Sequence, residues 1–455
     1  QVMNLNFSED TITAVATPMG TGAIAIVRIS GVDSIAIADE IFVGKKKLSE
    51  CETHTIHYGK IYDSTGDIID DVLVSIFISP NSFTGENCVE ISSHGNPLIT
   101  KKIIEVLLEK GVRNATPGEF TKRAFLNGKI DLAQAEAVAE VINSRTEVSL
   151  KGARNQLDGM LSKKVADFRT DLINTSSLIE LELDFAEEEI EFVGYEKLQE
   201  LILGVITEID ELLKSYNFGR VIRDGVNVAL VGKPNVGKSS LLNYILKESR
   251  SIVSAIPGTT RDIIREEVSI DGILFKLFDT AGIRESEDLI EIEGVLRSRE
   301  AIRDADFVIL LSDVNDLFSE ELYEELLEVT IREKIILVGN KIDLKKERDF
   351  SADCLISAKT GEGIEKLFEL LKSKAIGNNV YTERSAIVTN SRHYQSLERT
   401  KSHLLTALES ARSKMSGEFI AFDLRNAENS LSEIIGEVSS DDILNNIFAS
   451  FCIGK

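Results

Sequence analysis

The sequence predicts an α/β protein of several domains, in which a doubly wound α/β unit is inserted into a helical domain. The chain has 455 residues, which is enough for two to four domains. From Gly225 onwards, apolar strand-like runs alternate with helical stretches, a pattern typical of a doubly wound sheet. Helical periodicity precedes this unit and returns after it. An insertion is therefore the simplest architecture.

Residues 1–119 are predicted to form a mixed α+β N-terminal domain. Helical periodicity over Leu98–Lys110 ends at Gly111. A second helix is expected to begin at Thr116-Pro117, with Thr116 as its N-cap and Pro117 at the first helical position. The β-rich runs are Gly22–Ser30, Asp71–Ile78 and Asn87–Ser92.

A discontinuous helical-bundle domain is predicted from residues 120–217 and 380–455. Apolar residues recur there at three- and four-residue spacing. The acidic run Glu187–Glu191 is interpreted as a solvated turn or helix end. The helical segments are Leu132–Ile142, Val165–Phe185, Leu198–Leu213 and the stretch from Ser391 to Phe451.

The inserted α/β domain is predicted to span residues 218–379. Its last helix is expected at Ile364–Ala375, followed by a linker at Gly377–Asn379. The predicted strands are Asn227–Val231, Ile273–Phe278, Phe307–Val314, Lys334–Val338 and Cys354–Ile356.

The composition favours a cytoplasmic protein that is a poor nucleic-acid clamp. There are 51 Lys and Arg against 75 Asp and Glu, so the formal net charge is −24, whereas proteins that neutralise phosphates need a basic face. No run is long enough to span a membrane, and Gln1–Asp10 has no features of a signal peptide. The four cysteines form no CxxC pair, which favours a reducing compartment and argues against a zinc site.

A phosphate-binding loop is predicted at Gly232–Ser239, which reads GKPNVGKS and matches GxxxxGK[ST]. It follows a predicted strand and precedes a helix at Ser240–Leu246, so backbone N–H groups and the helix N-terminus can bind phosphates. Lys238 would reach the β- and γ-phosphates, and the Ser239 hydroxyl would bind Mg²⁺.

Three further motifs indicate that the base is guanine. Asp279-Thr-Ala-Gly282 ends a strand, where Asp279 can hold Mg²⁺ through water and the Gly282 N–H can meet the γ-phosphate. In Asn340-Lys-Ile-Asp343, the Asp343 carboxylate can accept the N1–H and N2 amino protons of guanine, which adenine cannot supply. Ser357-Ala-Lys359 would add a backbone contact. Together the motifs predict a Ras-like G domain.

The sequence lacks the glutamine that positions water in Ras-like enzymes, since Ile283 follows the second motif. Either hydrolysis is slow or another group assists. An activating cation is one route, and an acidic side chain is the other. The acidic candidates are Glu285, Glu287, Asp288, Glu291 and Glu293. A loop at Gly258–Asp262 is the candidate switch, with Thr260 completing the Mg²⁺ shell.

Motifs along the whole chain resemble those of the MnmE (TrmE) family of tRNA modification GTPases. Val236 stands where the family often has alanine, a change expected to be harmless. The matching stretches, besides the nucleotide motifs, are Ala16–Gly20, Val27–Gly31, Asn81–Glu86, His94-Gly95, Pro117–Phe120, Arg123–Asn127, Asp131–Glu136, Gly258–Asp262 and Cys452–Lys455. With this resemblance, the residues assigned to GTP are Asn235, Val236, Gly237, Lys238, Ser239, Ser240, Ser254, Ala255, Ile256, Pro257, Gly258, Thr259, Thr260, Asp279, Thr280, Ala281, Gly282, Asn340, Lys341, Ile342, Asp343, Ser357, Ala358 and Lys359.

The resemblance implies a potassium-activated mechanism. K⁺-dependent dimerisation of the G domains would drive GTP hydrolysis, with the cation acting in place of an arginine finger. Glu291 matches the family's catalytic glutamate, which orients water indirectly. The positions that match its K⁺ ligands are Asn235, Ser254, Ile256 and Thr259.

The resemblance also implies a homodimer, joined through its N-terminal domains, that binds 5,10-methylenetetrahydrofolate at the interface, with 5-formyl-tetrahydrofolate as an analogue. Arginine and lysine can meet folate carboxylates, and glutamate can accept from pterin amino groups. Without the resemblance, Arg28 would be read as a strand-edge charge and Glu90 as a surface residue. Cys452 is a candidate redox or nucleophilic group, or a small packing residue. The matching folate positions are Arg28, Glu90, Lys129 and Lys455.

Two functions follow from these observations. In the first, the chain and an FAD-dependent, NADH-using partner (MnmG, also called GidA) form a heterotetramer. This complex installs an aminomethyl-type group at C5 of the wobble uridine (U34), and the partner holds most of the tRNA. In the second, the chain is a regulatory GTPase switch, for example in ribosome assembly, for which the folate-type motifs would have no use. A folate-dependent transferase with a vestigial G domain is disfavoured by the intact nucleotide motifs.

Overall fold

A computed structural model describes residues 10–184, 194–248, 265–279, 299–316, 319–344, 351–377, 386–438 and 440–455. The chain divides into two compact units. The first comprises Gln1–Ala139, Leu157–Ile173 and Glu428–Lys455, and the second comprises Glu140–Gln156 and Asn174–Ala427.

The strands and helices are numbered here in chain order. The strands are β1 Ile12–Val15, β2 Ile24–Ser30, β3 Phe42–Gly44, β4 Thr55–Tyr62, β5 Ile68–Phe77, β6 Cys88–His94, β7 Arg113–Asn114, β8 Val226–Val231, β9 Arg265–Ile270, β10 Ile273–Asp279, β11 Phe307–Asp313, β12 Ile335–Asn340 and β13 Cys354–Leu355. The helices are α1 Ser34–Ile41, α2 Pro97–Glu109, α3 Glu119–Leu126, α4 Leu132–Asn143, α5 Glu147–Leu157, α6 Met160–Asp184, α7 Tyr195–Asp224, α8 Lys238–Glu248, α9 Glu320–Leu327, α10 Ile364–Ile376, α11 Ser391–Arg412, α12 Gly417–Ile435 and α13 Asp441–Ala449.

The first unit is built on a seven-stranded sheet in the order β3-β4-β5-β6-β2-β1-β7. Its pairs are antiparallel except β1 with β7. Alternate strand residues such as Val27 and Ile91 are buried against Ile41 of α1 and Leu107 of α2. This period of two places the intervening residues, including Arg28, on the other face of the sheet.

The second unit contains a six-stranded sheet in the order β13-β12-β11-β8-β10-β9. All pairs are parallel except β9 with β10. Both faces are covered, since Val228 and Leu230 belong to one buried cluster whereas Ala229 and Val231 belong to another. The order reverses at β8, and ligands of such sheets bind outside the carboxyl ends of the strands at this point.

The helical part of the second unit is built on the long helix α7. Helix α11 packs along it, with Tyr216 stacked on Tyr394 at a centroid distance of 4.4 Å and Lys401 paired with Asp210 at 2.6 Å. The backbone N–H of Val388 donates to the Ser215 hydroxyl at 3.0 Å. Within the described residues, no helix combines the length and apolarity that crossing a membrane requires.

The predicted fold class is confirmed: a mixed α+β N-terminal domain, a helical domain and a Ras-like G domain. Strands β1, β3, β4, β7 and β9 were not predicted, and helix α7 runs through residue 217 to Asp224. The exact domain boundaries remain a prediction. The run Glu187–Glu191 lies outside the described residues.

The helix expected to begin at Thr116-Pro117 was wrongly placed. Helix α3 begins at Glu119, with Gly118 as its N-cap. The Glu119 carboxylate accepts the backbone N–H of Thr116 at 2.8 Å and its hydroxyl at 3.0 Å. The helix starts later than predicted because Gly118 has a left-handed backbone (φ +68°), which a continuous right-handed helix cannot contain.

Candidate functional site

The phosphate-binding loop lies between β8 and α8, as the sequence predicts. Val236 is buried under the loop, whereas Asn235 is exposed at its tip in a left-handed conformation (φ +63°). The Lys238 Nζ donates to the carbonyl oxygens of Gly232 at 2.8 Å and Lys233 at 3.0 Å. The lysine ammonium therefore lies inside the loop, where phosphates would bind. Ser239 and Ser240 are exposed at the start of the helix.

Asn340 joins the phosphate-binding loop to the predicted base-binding segment. Its Nδ2 donates to the Val236 carbonyl at 2.8 Å, and its Oδ1 accepts the Ala358 N–H at 2.9 Å. The side chain lies so close to Gly237 (φ +101°) that a Cβ there would overlap it. A glycine is thus required at position 237 by both conformation and space. Asn340 is 2% exposed and fixes the two loops relative to each other.

The predicted base-binding residues meet at the carboxyl ends of β12 and β13. The buried Ser357 hydroxyl donates to Asp343 Oδ1 at 2.7 Å, which orients that carboxylate. The Ile342 N–H donates to the Ile356 carbonyl at 3.3 Å. Asp343 and Lys359 are exposed, so the carboxylate is accessible to a base.

Asp279 ends β10, which pairs in parallel with β8, so its backbone lies at the same sheet edge as the phosphate-binding loop. Several predicted residues lie outside the described part of the chain: Ser254, Ala255, Ile256, Pro257, Gly258, Thr259, Thr260, Thr280, Ala281, Gly282 and Glu291. Their assignments remain predictions.

The donor groups at this edge fit Mg²⁺ bound with a nucleotide better than a metal held by protein alone. No cluster of three or more His, Cys, Asp or Glu that could hold a metal lies in the residues that the structure describes. Mg²⁺ commonly uses one or two protein ligands plus phosphate oxygens and water. The exposed Ser239 hydroxyl could supply such a ligand, and the ion would neutralise phosphate charge.

A second candidate site lies on the open face of the sheet in the first unit. Arg28 on β2 is directly opposite Glu90 on β6, and the guanidinium binds Glu90 Oε1 through Nε at 2.9 Å and Nη2 at 2.7 Å. The Arg28 guanidinium carbon lies 5.7 Å from the Phe83 ring centroid and 5.6 Å from that of Phe120. The two rings restrict this arginine and flank it with apolar surface.

The Cys452–Lys455 segment reaches the same site. The Gly118 N–H donates to the Cys452 carbonyl at 3.4 Å. Burial, assisted by the nearby charge of Arg28, lowers the pKa of Lys455, with Glu90 and Cys452 acting in the opposite direction. Lys455 is therefore close to the Arg28–Glu90 pair. Cys452 is exposed, which does not fit the packing role considered for it.

Lys129 has a different position from the other three predicted folate contacts. Its Nζ donates to the Pro80 carbonyl at 3.0 Å, and its stem lies against Gly85. It thus contacts the segment 80–86, which also carries Phe83 of the Arg28 site.

Sequence reasoning missed three residues that the structure places at these sites. Phe83 and Phe120 lie inside family motifs but were given no role. Asp313 binds Lys341 of the guanine motif through a 2.8 Å ion pair. The signal available in the sequence was a lone acidic residue at the end of an apolar strand.

Comparisons with known proteins agree across the chain. The family model described as the MnmE helical domain matches residues 132–452, and that described as the GTP-binding protein TrmE N-terminus matches residues 11–129. The tRNA modification GTPase MnmE of Cytophaga hutchinsonii is 44% identical over 453 residues, covering 98% of this chain and 98% of that protein. MnmE of Carboxydothermus hydrogenoformans is 43% identical over 464 residues, covering 98% of this chain and 100% of that protein. Among solved structures, the G domain of the T. maritima FeoB iron transporter is 31% identical, covering 33% of this chain and 98% of that chain, with a TM-score of 0.26.

Proposed function

Because the chain belongs to the MnmE family of tRNA modification GTPases, we propose that its GTPase cycle serves one-carbon chemistry on the wobble uridine of tRNA. The chain is a GTP hydrolase that acts in tRNA modification. With an FAD-dependent, NADH-using partner of the MnmG type, it would install an aminomethyl-type group at C5 of U34. The observation that carries this proposal is the Arg28–Glu90 pair beside Lys455, in a chain that also has an ordered guanine-nucleotide edge.

The Arg28 site supports a folate ligand through its chemistry. A folate has an aromatic pterin, which can pack against the exposed ring of Phe83, and carboxylates, which Lys455 or Lys129 can meet. Glu90 can accept from pterin amino groups while it holds Arg28. These residues would bind and orient a tetrahydrofolate one-carbon donor, which supplies the carbon when bound.

Exposed apolar residues on the same sheet face support the proposed homodimer. Ile56 and Tyr58 on β4 are each 66% exposed, and Leu73 on β5 is 48% exposed. Leu73 pairs with Tyr58 and with Ser92, two residues along β6 from Glu90, so all lie on the face that carries Arg28. A partner copy that covered this apolar area would also enclose the Arg28 site.

A regulatory switch without modification chemistry is the alternative function. It would need the guanine site but not an arginine held between two rings and next to Lys455.

The free cysteines of the described chain and a tRNA substrate fit a cytoplasmic location.

A potassium ion is proposed to activate hydrolysis, because Ile283 cannot position water and Asn235 is exposed at the loop tip. We expect kcat for GTP to be at least tenfold higher in K⁺ than in Na⁺ of equal ionic strength. Asn235→Gly keeps the left-handed backbone but removes the side chain proposed to bind K⁺. The kcat of this variant should therefore no longer differ between K⁺ and Na⁺. Asn235→Lys should make turnover independent of the salt. Equal native rates in the two salts would contradict the cation mechanism.

Mass analysis of wobble-uridine nucleosides tests the proposed function. Deletion of the gene should remove the modified nucleoside from tRNA, and the native gene should restore it. The Arg28→Ala gene should fail to restore it, although its product should hydrolyse GTP at the native rate. Unchanged nucleosides after deletion would instead favour the regulatory switch.

A further inference from the structure

An ion pair crosses from β11 to the segment after β12 at the nucleotide edge of the G domain. Lys341 follows β12 and has a left-handed backbone (φ +68°). Its Nζ binds Asp313 Oδ2 at 2.8 Å. The neighbours of Lys341 on either side, Asn340 and Ile342, are fixed by bonds to the loops around them. The lysine is therefore held at both its backbone and its ammonium.

Asp313 is itself rigidly placed. It ends β11 directly beside Asn340 of β12, and the Val314 N–H donates to the Asn340 carbonyl at 3.0 Å. Its Oδ1 accepts the backbone N–H of Asn315 at 2.9 Å and the side-chain amide at 3.1 Å. Those bonds leave Oδ2 for Lys341. Burial opposes ionisation, but the bonds from Lys341 and Asn315 outweigh it and lower the pKa of Asp313.

This arrangement controls a side chain that would otherwise be mobile. A free lysine side chain samples many rotamers, and fixing it upon ligand binding costs free energy. With Nζ anchored on β11, the aliphatic stem of Lys341 lies along the crevice outside the carboxyl ends of β11 and β12. Asp343, the predicted acceptor for the base, is two residues further along the chain. A ring bound by Asp343 would meet the stem as a preformed apolar surface.

We propose that Asp313 is a positioning residue for the guanine base, which acts through Lys341. The inference rests on the proposed guanine site. Since GDP and GTP share the base, loss of Asp313 should weaken both equally. Hydrolysis at saturating GTP should change little, because Asp313 contacts Lys341 and the segment after β11, whereas the γ-phosphate would bind at the phosphate-binding loop.

Four variants of the full chain separate this role from simple stabilisation. Asp313→Asn removes the anchor, Lys341→Met removes the ammonium but keeps an apolar stem, and the third variant combines them. Asp353→Asn is the matched control: this aspartate precedes β13, accepts the Leu337 N–H of β12 at 2.8 Å and lies 3.9 Å from Arg332, which precedes β12, so it is away from the carboxyl ends of these strands. Calorimetry with GDP and with GTP, kcat at saturation and the thermal midpoint are measured for each.

Asp313→Asn and Lys341→Met should each raise Kd for GDP and GTP about tenfold, and the double variant should be no weaker than either alone. The control should bind GDP like the native chain. Native affinity in Asp313→Asn, additive losses, or an equal loss in the control would each overturn the inference. Failure of the native chain to bind GDP would instead refute the guanine site itself.

Discussion

At the scale of single residues, Glu119 links the ends of several elements in the first unit. Its carboxylate accepts from Arg113 at 2.6 and 3.0 Å and from Arg123 Nη2 at 3.1 Å. Arg123 is 6% exposed and also binds Asp10 and Glu86. Burial alone would raise the pKa of Glu119. The bonds from Arg113, Thr116 and Arg123 outweigh this effect and lower the pKa to about 2. The ionised form is therefore part of the folded state.

Glu119→Gln should destabilise the protein by about 2 kcal/mol at neutral pH, a value reduced for partial solvent exposure. Between its ordinary pKa of 4.5 and about 2, the unfolded chain binds a proton that the folded chain does not, so stability rises with pH in this window. The Glu119 contribution is full above the window and is lost as pH falls through it.

Thermal and denaturant unfolding of native and Glu119→Gln chains at pH 7 and pH 3.5 check this. The difference in unfolding free energy between the native and Glu119→Gln chains should be about half as large at pH 3.5 as at pH 7. Glu105→Gln, on the exposed pair with Lys101 of the same unit, is the control and should have little effect at either pH. A difference that does not change with pH would contradict the assignment.

At the scale of elements, the Cys452–Lys455 segment is held by close backbone packing. Gly454 has φ +95°, and a Cβ there would overlap the Val15 carbonyl oxygen at the end of β1. Glycine is therefore needed at this position for both conformation and space. The packing brings Lys455 to Arg28 on the neighbouring strand β2.

Gly454→Ala should displace the segment and lower affinity for 5-formyl-tetrahydrofolate about tenfold, because Lys455 would leave the site. Titration calorimetry of the full chain measures this. Gly111→Ala, at another left-handed glycine of the same unit (φ +88°) with open space around it, is the matched control and should keep native affinity. Arg28→Ala is the positive comparison. Undiminished binding by Gly454→Ala would remove Lys455 from the site.

At the scale of the whole molecule, the net charge of −24 sets a constraint on how tRNA is held. Nucleic-acid affinity is dominated by phosphate neutralisation, which an acidic chain supplies poorly. A tRNA-modifying complex that contains this chain therefore needs its basic surface elsewhere. The partner flavoprotein is the proposed source.

The chain alone should bind tRNA weakly and with steep salt dependence, whereas the partner alone and the complex should bind tightly. Filter binding of labelled tRNA at 50 and 200 mM salt, with each protein alone and with both, measures this division. Tight, salt-resistant binding by the chain alone would contradict the inference, drawn from its net negative charge, that it binds tRNA poorly by itself.

The nucleotide motifs and the α/β alternation were predictable because each is local in sequence. The segment Gly232–Ser239 contains the loop, the lysine and the helix start of the phosphate site in contiguous residues. The apolar runs of β8, β11 and β12 are recognisable as strands from the sequence. Strand β9 was missed because its sequence, REEVSI, carries two carboxylates and is defined by pairing with β10. The helix start was misplaced at Thr116 because the left-handed backbone of Gly118, which depends on tertiary packing, delays the helix to Glu119.

The sequence by itself determined the class of nucleotide, the order of α/β and helical parts, and the resemblance to a family of tRNA modification GTPases. Only the tertiary structure decided that the Arg28 guanidinium lies beside the rings of Phe83 and Phe120, and that Asp313 anchors Lys341. The physical reason is the distance along the chain between the residues that interact. Phosphate binding depends on contiguous backbone and side chains, whereas these contacts depend on which strands become neighbours and on how closely the backbones pack.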